Sequence, residues 1–289
     1  MILVTGASGS VGKEVLRAVG KSGAKHRAMY RSAAEAAKRP PGTETVIADF
    51  AKKETLSLAL RGVESVYLVC SPIPDLVELE SNVIDASVAA GVKHVVLNSA
   101  LGAGDYDKSF PSWHRKVEDK LRGTRLSYTI LRPNSFHQNV VSIFAPSIQA
   151  QGVFYGSMRD SRNSFIDVRD IAAVAARALS GGEHSGKIYE LNGPEALNYT
   201  ELAAKISKAA GREVKYVDIP MDAQRKAMLD QQMPEWLVTA LLNLQQYYLN
   251  GKGGETDGLL EKLLGRAPIT MDQFLAENAG EFRAQAANA

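Results

Sequence analysis

The chain has 289 residues, 45% of them hydrophobic and 23% charged. This composition belongs to a folded protein of one large domain, or two sharing a core, and excludes disordered, collagen-like and disulfide-scaffold chains. Thirty-four basic against thirty-two acidic residues leave a formal charge of +2, too little for a field that would hold nucleic acid.

The first 132 residues alternate short β-branched runs with helical stretches. Residues 2–4 form a strand, and residues 9–22 a helix with Val11, Val15, Leu16 and Val19 on one face. Residues 25–30, 46–48 and 63–69 give three more strands. Residues 75–90 form an amphipathic helix that Gly91 ends. Strands follow at 94–97 and 127–131, with a helix at 111–122 between them. Residues 164–167 read as a short edge strand leading into an Ala-rich helix at 168–179, which Asp167 and Asp170 cap and anchor. A strand at 188–191 follows. Asn198 and Glu201 have capping-box spacing and open a helix that stops at Gly211. Residues 214–219 form a strand, and the chain from Met221 onward is mainly helical.

Near-continuous apolar strands separated by helices specify a parallel sheet buried on both faces. Right-handed crossovers make it a Rossmann-type, doubly wound α/β sheet with a smaller, mainly helical C-terminal lobe. The expected division is a nucleotide-binding domain at 1–192, carrying part of the substrate pocket in 133–163, and a substrate-facing lobe at 193–289. Ligands of such sheets sit at the carboxyl ends of the strands.

Thr5-Gly6-Ala7-Ser8-Gly9-Ser10-Val11-Gly12 joins the first strand to the first helix. Gly6 permits the tight turn, Gly9 lets backbone approach a pyrophosphate, and Gly12 lets the helix pack close to the sheet. The N–H groups around Ser8, Ser10 and Val11, with the helix dipole, then hold phosphate. The second strand ends in Met29-Tyr30-Arg31-Ser32 with no acid for ribose hydroxyls. Arg31 suits a 2′-phosphate, so NADP(H) is expected over NAD(H). Asp49 and Phe50, after the third strand, are expected beside the adenine.

These residues resemble the short-chain dehydrogenase/reductase superfamily, and more narrowly its atypical NmrA-like branch. The resemblance is carried by the glycine loop, by Ala90-Gly91-Val92-Lys93-His94-Val95-Val96, by Tyr128-Thr129-Ile130-Leu131-Arg132-Pro133-Asn134 and by Phe165-Ile166-Asp167-Val168-Arg169-Asp170-Ile171-Ala172. Within that branch the chain looks like NAD(P)H-dependent quinone oxidoreductases and triphenylmethane reductase. The resemblance implies that Pro133 lies near the nicotinamide and that Ser71 borders the cofactor's middle. It makes Ser99 a candidate contact to substrate.

Typical superfamily members carry a catalytic Tyr and Lys four residues apart on the helix after the fifth strand. Anchored on Glu118, the alignment puts Phe110 and His114 at those positions; shifted by two, it puts Ser112 and Lys116 there. Neither register supplies the tyrosine. His114 becomes the candidate catalytic side chain, orienting the nicotinamide ribose or a substrate oxygen. Trp113, Asn134 and Phe136 are expected to contact the acceptor, with His137, Phe144, Phe154 and Tyr155 as further candidates for its wall or for the core. Tyr248 and Lys252 have the right spacing but stand far along the chain, at an Asn-Gly turn.

The expected function is NADPH-dependent hydride transfer to a quinone or similar conjugated acceptor. The alternative is a non-catalytic NADP(H) sensor that contacts a regulatory protein. The apolar stripe Met228, Leu229, Met233, Trp236, Leu237, Leu241 and Leu244 would serve that contact, a homodimer face or the lobe core. The five histidines and Cys70 have no metal-ligand spacing, and Cys70 reads as a buried structural thiol. A lone cysteine, no apolar run near ~20 residues and no signal-peptide pattern lead to an expected cytoplasmic location without a membrane partner.

Overall fold

The computed structural model describes residues 1–40 and 42–283. Among them are nine strands: β1 (Ile2–Val4), β2 (His26–Tyr30), β3 (Glu44–Ile47), β4 (Ser65–Leu68), β5 (His94–Asn98), β6 (Ser127–Pro133), β7 (Val153–Gly156), β8 (Lys187–Leu191) and β9 (Lys215–Asp218). Seven form one sheet in the order β3-β2-β1-β4-β5-β6-β8. The order reverses between β1 and β4, the switch point at which doubly wound sheets bind ligands. Ladders β1–β2, β1–β4, β2–β3, β4–β5 and β5–β6 are all parallel. The Gly186 N–H donates to Tyr128 O and the Asn134 N–H to Leu191 O, so β8 runs alongside β6 in the same sense.

Alternate strand residues explain the burial. Leu3, Val66, Leu68, Val95, Leu97 and Ile130 join one core with Leu56, Leu76, Val83, Ile84, Val117 and Leu121 of the helices Lys53–Ala59, Leu76–Ala90 and Ser109–Arg122. The residues between them, such as Tyr67, Val96 and Leu131, are equally buried. Successive side chains leave a strand on opposite faces, so the sheet is covered on both. The helices Ser10–Lys21 and Val168–Ser180 pack against each other.

The chain divides into two compact units, Met1–Pro133 with Val168–Glu190, and Asn134–Asp167 with Leu191–Ala289. The division differs from a single cut at 192, because residues 134–167 cluster with the C-terminal part. There β7 and β9 form a two-stranded parallel ladder. Phe154, Phe144, Tyr199 and Tyr216 stack beside it, with ring centroids 4.5 Å apart for Phe144–Phe154 and 5.3 Å for Tyr199–Tyr216. Phe144 and Phe154 therefore fill this unit's core, while Tyr155 faces solvent.

Residues 164–167 are not an edge strand. They are buried throughout and make only isolated bridges nearby, Phe136 to Ile166 and Asn163 to Leu197. Their donors go to separate loops: the Ser164 N–H to Gly253 O at 2.8 Å and the Ile166 N–H to Ser135 O at 2.9 Å. A backbone shared among several loops cannot complete one ladder. The helix Met221–Asp230 buries no residue, and Glu235–Leu249 buries Val238, Ala240, Leu242, Tyr247 and Tyr248. The Met228-to-Leu244 stripe is thus half-buried or exposed, not core.

Two glycines set the first turn. Gly6 has φ +57°, and a Cβ at Gly12 would stand 2.1 Å from Gly6 O. A Cβ at Gly9 would meet only Gly6 O, at 3.3 Å. Gly12→Ala is expected to cost more than ~3 kcal/mol or to abolish soluble expression, since its clash is with rigid backbone, and Gly9→Ala to stay within ~1 kcal/mol of wild type. Urea unfolding of the two variants checks the contrast.

Candidate active site

The helix Ser10–Lys21 starts at Gly9 with no side-chain cap and no acid in its first turn. Its first N–H groups have no partner inside the helix and face the carboxyl end of β1. Such an end suits an anion, and Ser8, Gly9 and Ser10 are exposed around it. The residues present therefore fit a dinucleotide pyrophosphate. Arg31, just past β2, is exposed, and among the described residues its guanidinium makes no hydrogen bond or ion pair. A half-buried carboxylate lies next to it: Glu35 accepts from the Ser8 hydroxyl at 3.2 Å and from the Arg31 backbone N–H at 3.2 Å. The β2 terminus itself carries no acid; Glu35 sits one short helical turn beyond the strand.

Asp49 accepts from the Ala51 N–H at 3.0 Å and leaves the helix at Lys53 uncapped by its side chain. Phe50 is half-buried against the core, and its carbonyl accepts from Asn82. Ser71 is exposed beyond β4. Cys70 beside it is half-buried rather than buried, and desolvation pushes its thiol up to about 12, which leaves it unreactive. Glu80, on the helix behind, is fully buried. Neither of its oxygens has a hydrogen-bond partner among the described residues, although the Cys70 backbone lies close enough to oppose the effect of burial. Burial raises its carboxyl to about 8.

After β5, the Ser99 hydroxyl donates to Glu118 Oε1 at 2.5 Å. Arg132 on β6 donates to both oxygens of the same carboxylate, at 2.9 and 2.6 Å. Glu118 is 1% exposed, so this is a buried charge pair with its hydrogen bonds filled. Arg132 also reaches Glu190 at 3.4 Å. Ser99 has given its only proton to Glu118 and can only accept from a ligand. Glu118 stands one turn from His114 on the same helix, the spacing by which the sequence points to it.

His114 is buried on the same helix, with no partner for Nδ1 among the described residues. Desolvation lowers it to about 4, so it is neutral at pH 7. It can hold a hydrogen bond but carries no spare proton. Trp113 packs on the core and meets Phe110 edge-to-face at 5.3 Å. Pro133 ends β6, buried, and its carbonyl accepts from the Leu101 N–H at 3.0 Å.

In the second unit Asn134 is 2% exposed. Its amide donates to Asn192 Oδ1 at 2.9 Å and Gly253 O at 2.8 Å, and its oxygen accepts from the Ser135 N–H at 2.8 Å. Both donors are spent on neighbouring loops, so the geometry makes Asn134 a tie between loops rather than a ligand contact. The Tyr248 hydroxyl, 2.9 Å from Ser135 Oγ, joins that cluster. Phe136 is half-buried and caps a short helical turn at His137. His137 is fully buried, its Nδ1 3.7 Å from Asp167 Oδ2. Among the described residues no group of three metal-binding side chains forms, and no helix is long and apolar enough to cross a membrane.

The profile of the NmrA-like family matches residues 1–282. An NAD(P)H azoreductase of Xenophilus azovorans is 35% identical, covering 98% of this chain and all of its own. Quinone oxidoreductase 2 of Escherichia coli is 31% identical over 96% of this chain and 98% of its own. A crystal structure of an NADPH-dependent quinone oxidoreductase of that organism, complexed with NADPH, superposes with a TM-score of 0.89, at 30% identity over 96% of this chain and 99% of that one. The Citrobacter triphenylmethane reductase with NADP(H) shares the fold, with a TM-score of 0.85 at 22% identity over 96% and 100%. The chain belongs to the NmrA-like family.

Glu80 gives a pH test. Its folded-state pKa is raised, so its stabilisation is complete below 4.5 and is lost as pH rises towards 8. His114 acts oppositely, its contribution being complete above 6.5 and lost as pH falls towards 4. Between pH 6.5 and 8 the Glu80 slope stands alone. The melting temperature of Glu80→Gln is therefore expected to gain steadily on wild type across that window. Parallel curves would count against a buried neutral carboxyl.

Proposed function

We propose that the acceptor of this NAD(P)H-dependent oxidoreductase is a quinone or a similarly conjugated molecule, and that NADPH is its preferred donor. One observation carries the reading: the helix Ser109–Arg122 contains no tyrosine, and neither Ser99 nor His114 beside it is placed to give up a proton. Ser99 is committed to Glu118, and His114 is neutral. Reduction of an isolated carbonyl needs a proton donor at its oxygen. A conjugated electrophile needs much less, since water can protonate the product.

Bound NADPH supplies hydride. The glycine loop and the N-terminus of Ser10–Lys21 hold its pyrophosphate, and Arg31 pairs with the 2′-phosphate. Asp49 and Phe50 flank the adenine, Ser71 the middle of the cofactor, and Pro133 the nicotinamide. His114 donates a hydrogen bond to the nicotinamide ribose, and Ser99 accepts one; the Arg132–Glu118 pair keeps Ser99 in place. Trp113 supports this helix from the core side, and Phe136 remains a candidate contact for the acceptor. Rate then comes from holding donor and acceptor together. The names of the azoreductase and of quinone oxidoreductase 2 support the same class of acceptor.

Purified protein with NADPH is expected to reduce menadione, and more slowly with NADH. The rate should stay flat between pH 6 and 9. His114→Ala should cost about tenfold or less, against the 10²–10⁴ of a lost general acid. NADPH absorbance lost no faster than background over a panel of quinones would overturn the proposal and favour the non-catalytic sensor.

A further inference from the structure

We infer that Glu35 is a determinant of cofactor preference, a built-in anion that narrows the advantage Arg31 gives to NADPH over NADH. The inference rests on the reading of the glycine loop as a dinucleotide site.

Glu35 lies in the four-residue helix Ala33–Ala36, whose start is fixed by Ser32: the Glu35 N–H donates to Ser32 Oγ at 3.2 Å. That cap turns the Glu35 side chain back towards the strand end. One carboxylate oxygen takes the Ser8 hydroxyl and the other takes the Arg31 N–H, both at 3.2 Å. The carboxylate thus spans from the glycine loop to the end of β2. In dinucleotide-binding sheets the adenosine ribose hydroxyls are read at that strand end.

Two consequences follow from elementary electrostatics. A 2′-phosphate approaching Arg31 also meets the Glu35 charge, and like charges at close range oppose binding. The donors that a phosphate would take, a hydroxyl and a backbone N–H, are already held by a carboxylate. A 2′-hydroxyl meets neither penalty, because it can donate to Glu35. Arg31 does not cancel the carboxylate, since its guanidinium makes no ion pair among the described residues. Attraction and repulsion therefore act on the same phosphate, and the site admits both nucleotides.

The test is equilibrium binding to the full-length protein, by calorimetry, with no acceptor present. The probes are NADPH, NADH, adenosine 2′,5′-bisphosphate and ADP. Glu35→Gln removes the charge and keeps one of the two acceptor oxygens, the other becoming an amide donor. It is expected to raise the NADPH-to-NADH affinity ratio about tenfold, chiefly through tighter NADPH, an effect of the size a single solvated like-charge contact produces. The bisphosphate-to-ADP ratio should rise in parallel, and both gains should shrink at 1 M salt. Arg31→Ala should move both ratios the other way. An unchanged ratio in Glu35→Gln, with nucleotide still bound and an unaltered melting curve, overturns the inference and leaves the dinucleotide site standing. Failure of wild type to bind any of the four overturns that site, and the inference with it.

Discussion

Everything at the nucleotide end of the molecule depends on one close approach, that of the Gly12 Cα to the Gly6 carbonyl. A side chain at position 12 would overlap that oxygen. Without one, the helix Ser10–Lys21 starts directly over the end of β1, and its unpaired N–H groups meet the solvent instead of a capping side chain. The same contact brings Ser8 within reach of Glu35 and of the end of β2. Loop, strand end and short helix form one anion-sensitive surface because two backbones touch.

A second constraint governs the other half of the sheet edge. Glu118 is buried, and a buried carboxylate is tolerated only with its lone pairs filled. Ser99 and the two prongs of Arg132 fill them. This answers the packing problem and limits the chemistry at the same time. It removes the proton of Ser99 from use. Burial likewise holds His114 neutral. What is left beside that helix is a pair of side chains that can position reactants and are poorly placed to protonate them, which is what the proposed conjugated acceptor requires.

Much of the fold was legible because its signals are local. Valine- and leucine-rich runs of strand length, Gly91 at a helix end with φ +72°, and the Asn198–Glu201 capping box each act through neighbours a few residues away. The glycine loop was legible for the same reason. Residues 164–167 differ from the expected edge strand because Ser-Phe-Ile-Asp, two strand-forming residues between polar ones, reads the same in an edge strand and in a buried crossing. Gly193 lies so close to Phe165 that a Cβ there would stand 1.6 Å from its carbonyl oxygen, a contact no pattern encodes. Phe144 and Phe154 looked equally suited to a binding wall or a core, and only their stacking decided between them. Asn134 has the residue type of a ligand contact, but both its amide donors go to neighbouring loops.

By itself the sequence determined the doubly wound sheet, the phosphate loop, the NmrA-like resemblance and the lack of a tyrosine on the helix after the fifth strand. These depend on residue type and short-range spacing. The tertiary structure alone decided which polar groups keep a usable proton, which carboxylates are buried, and that Glu35 rather than the strand end supplies the acid beside Arg31. Apart from the Arg31–Glu35 bond four positions along the chain, those properties depend on desolvation and on hydrogen bonds between residues 14 to 27 positions apart. The chain brings such groups together only when it folds, and linear spacing therefore does not record them.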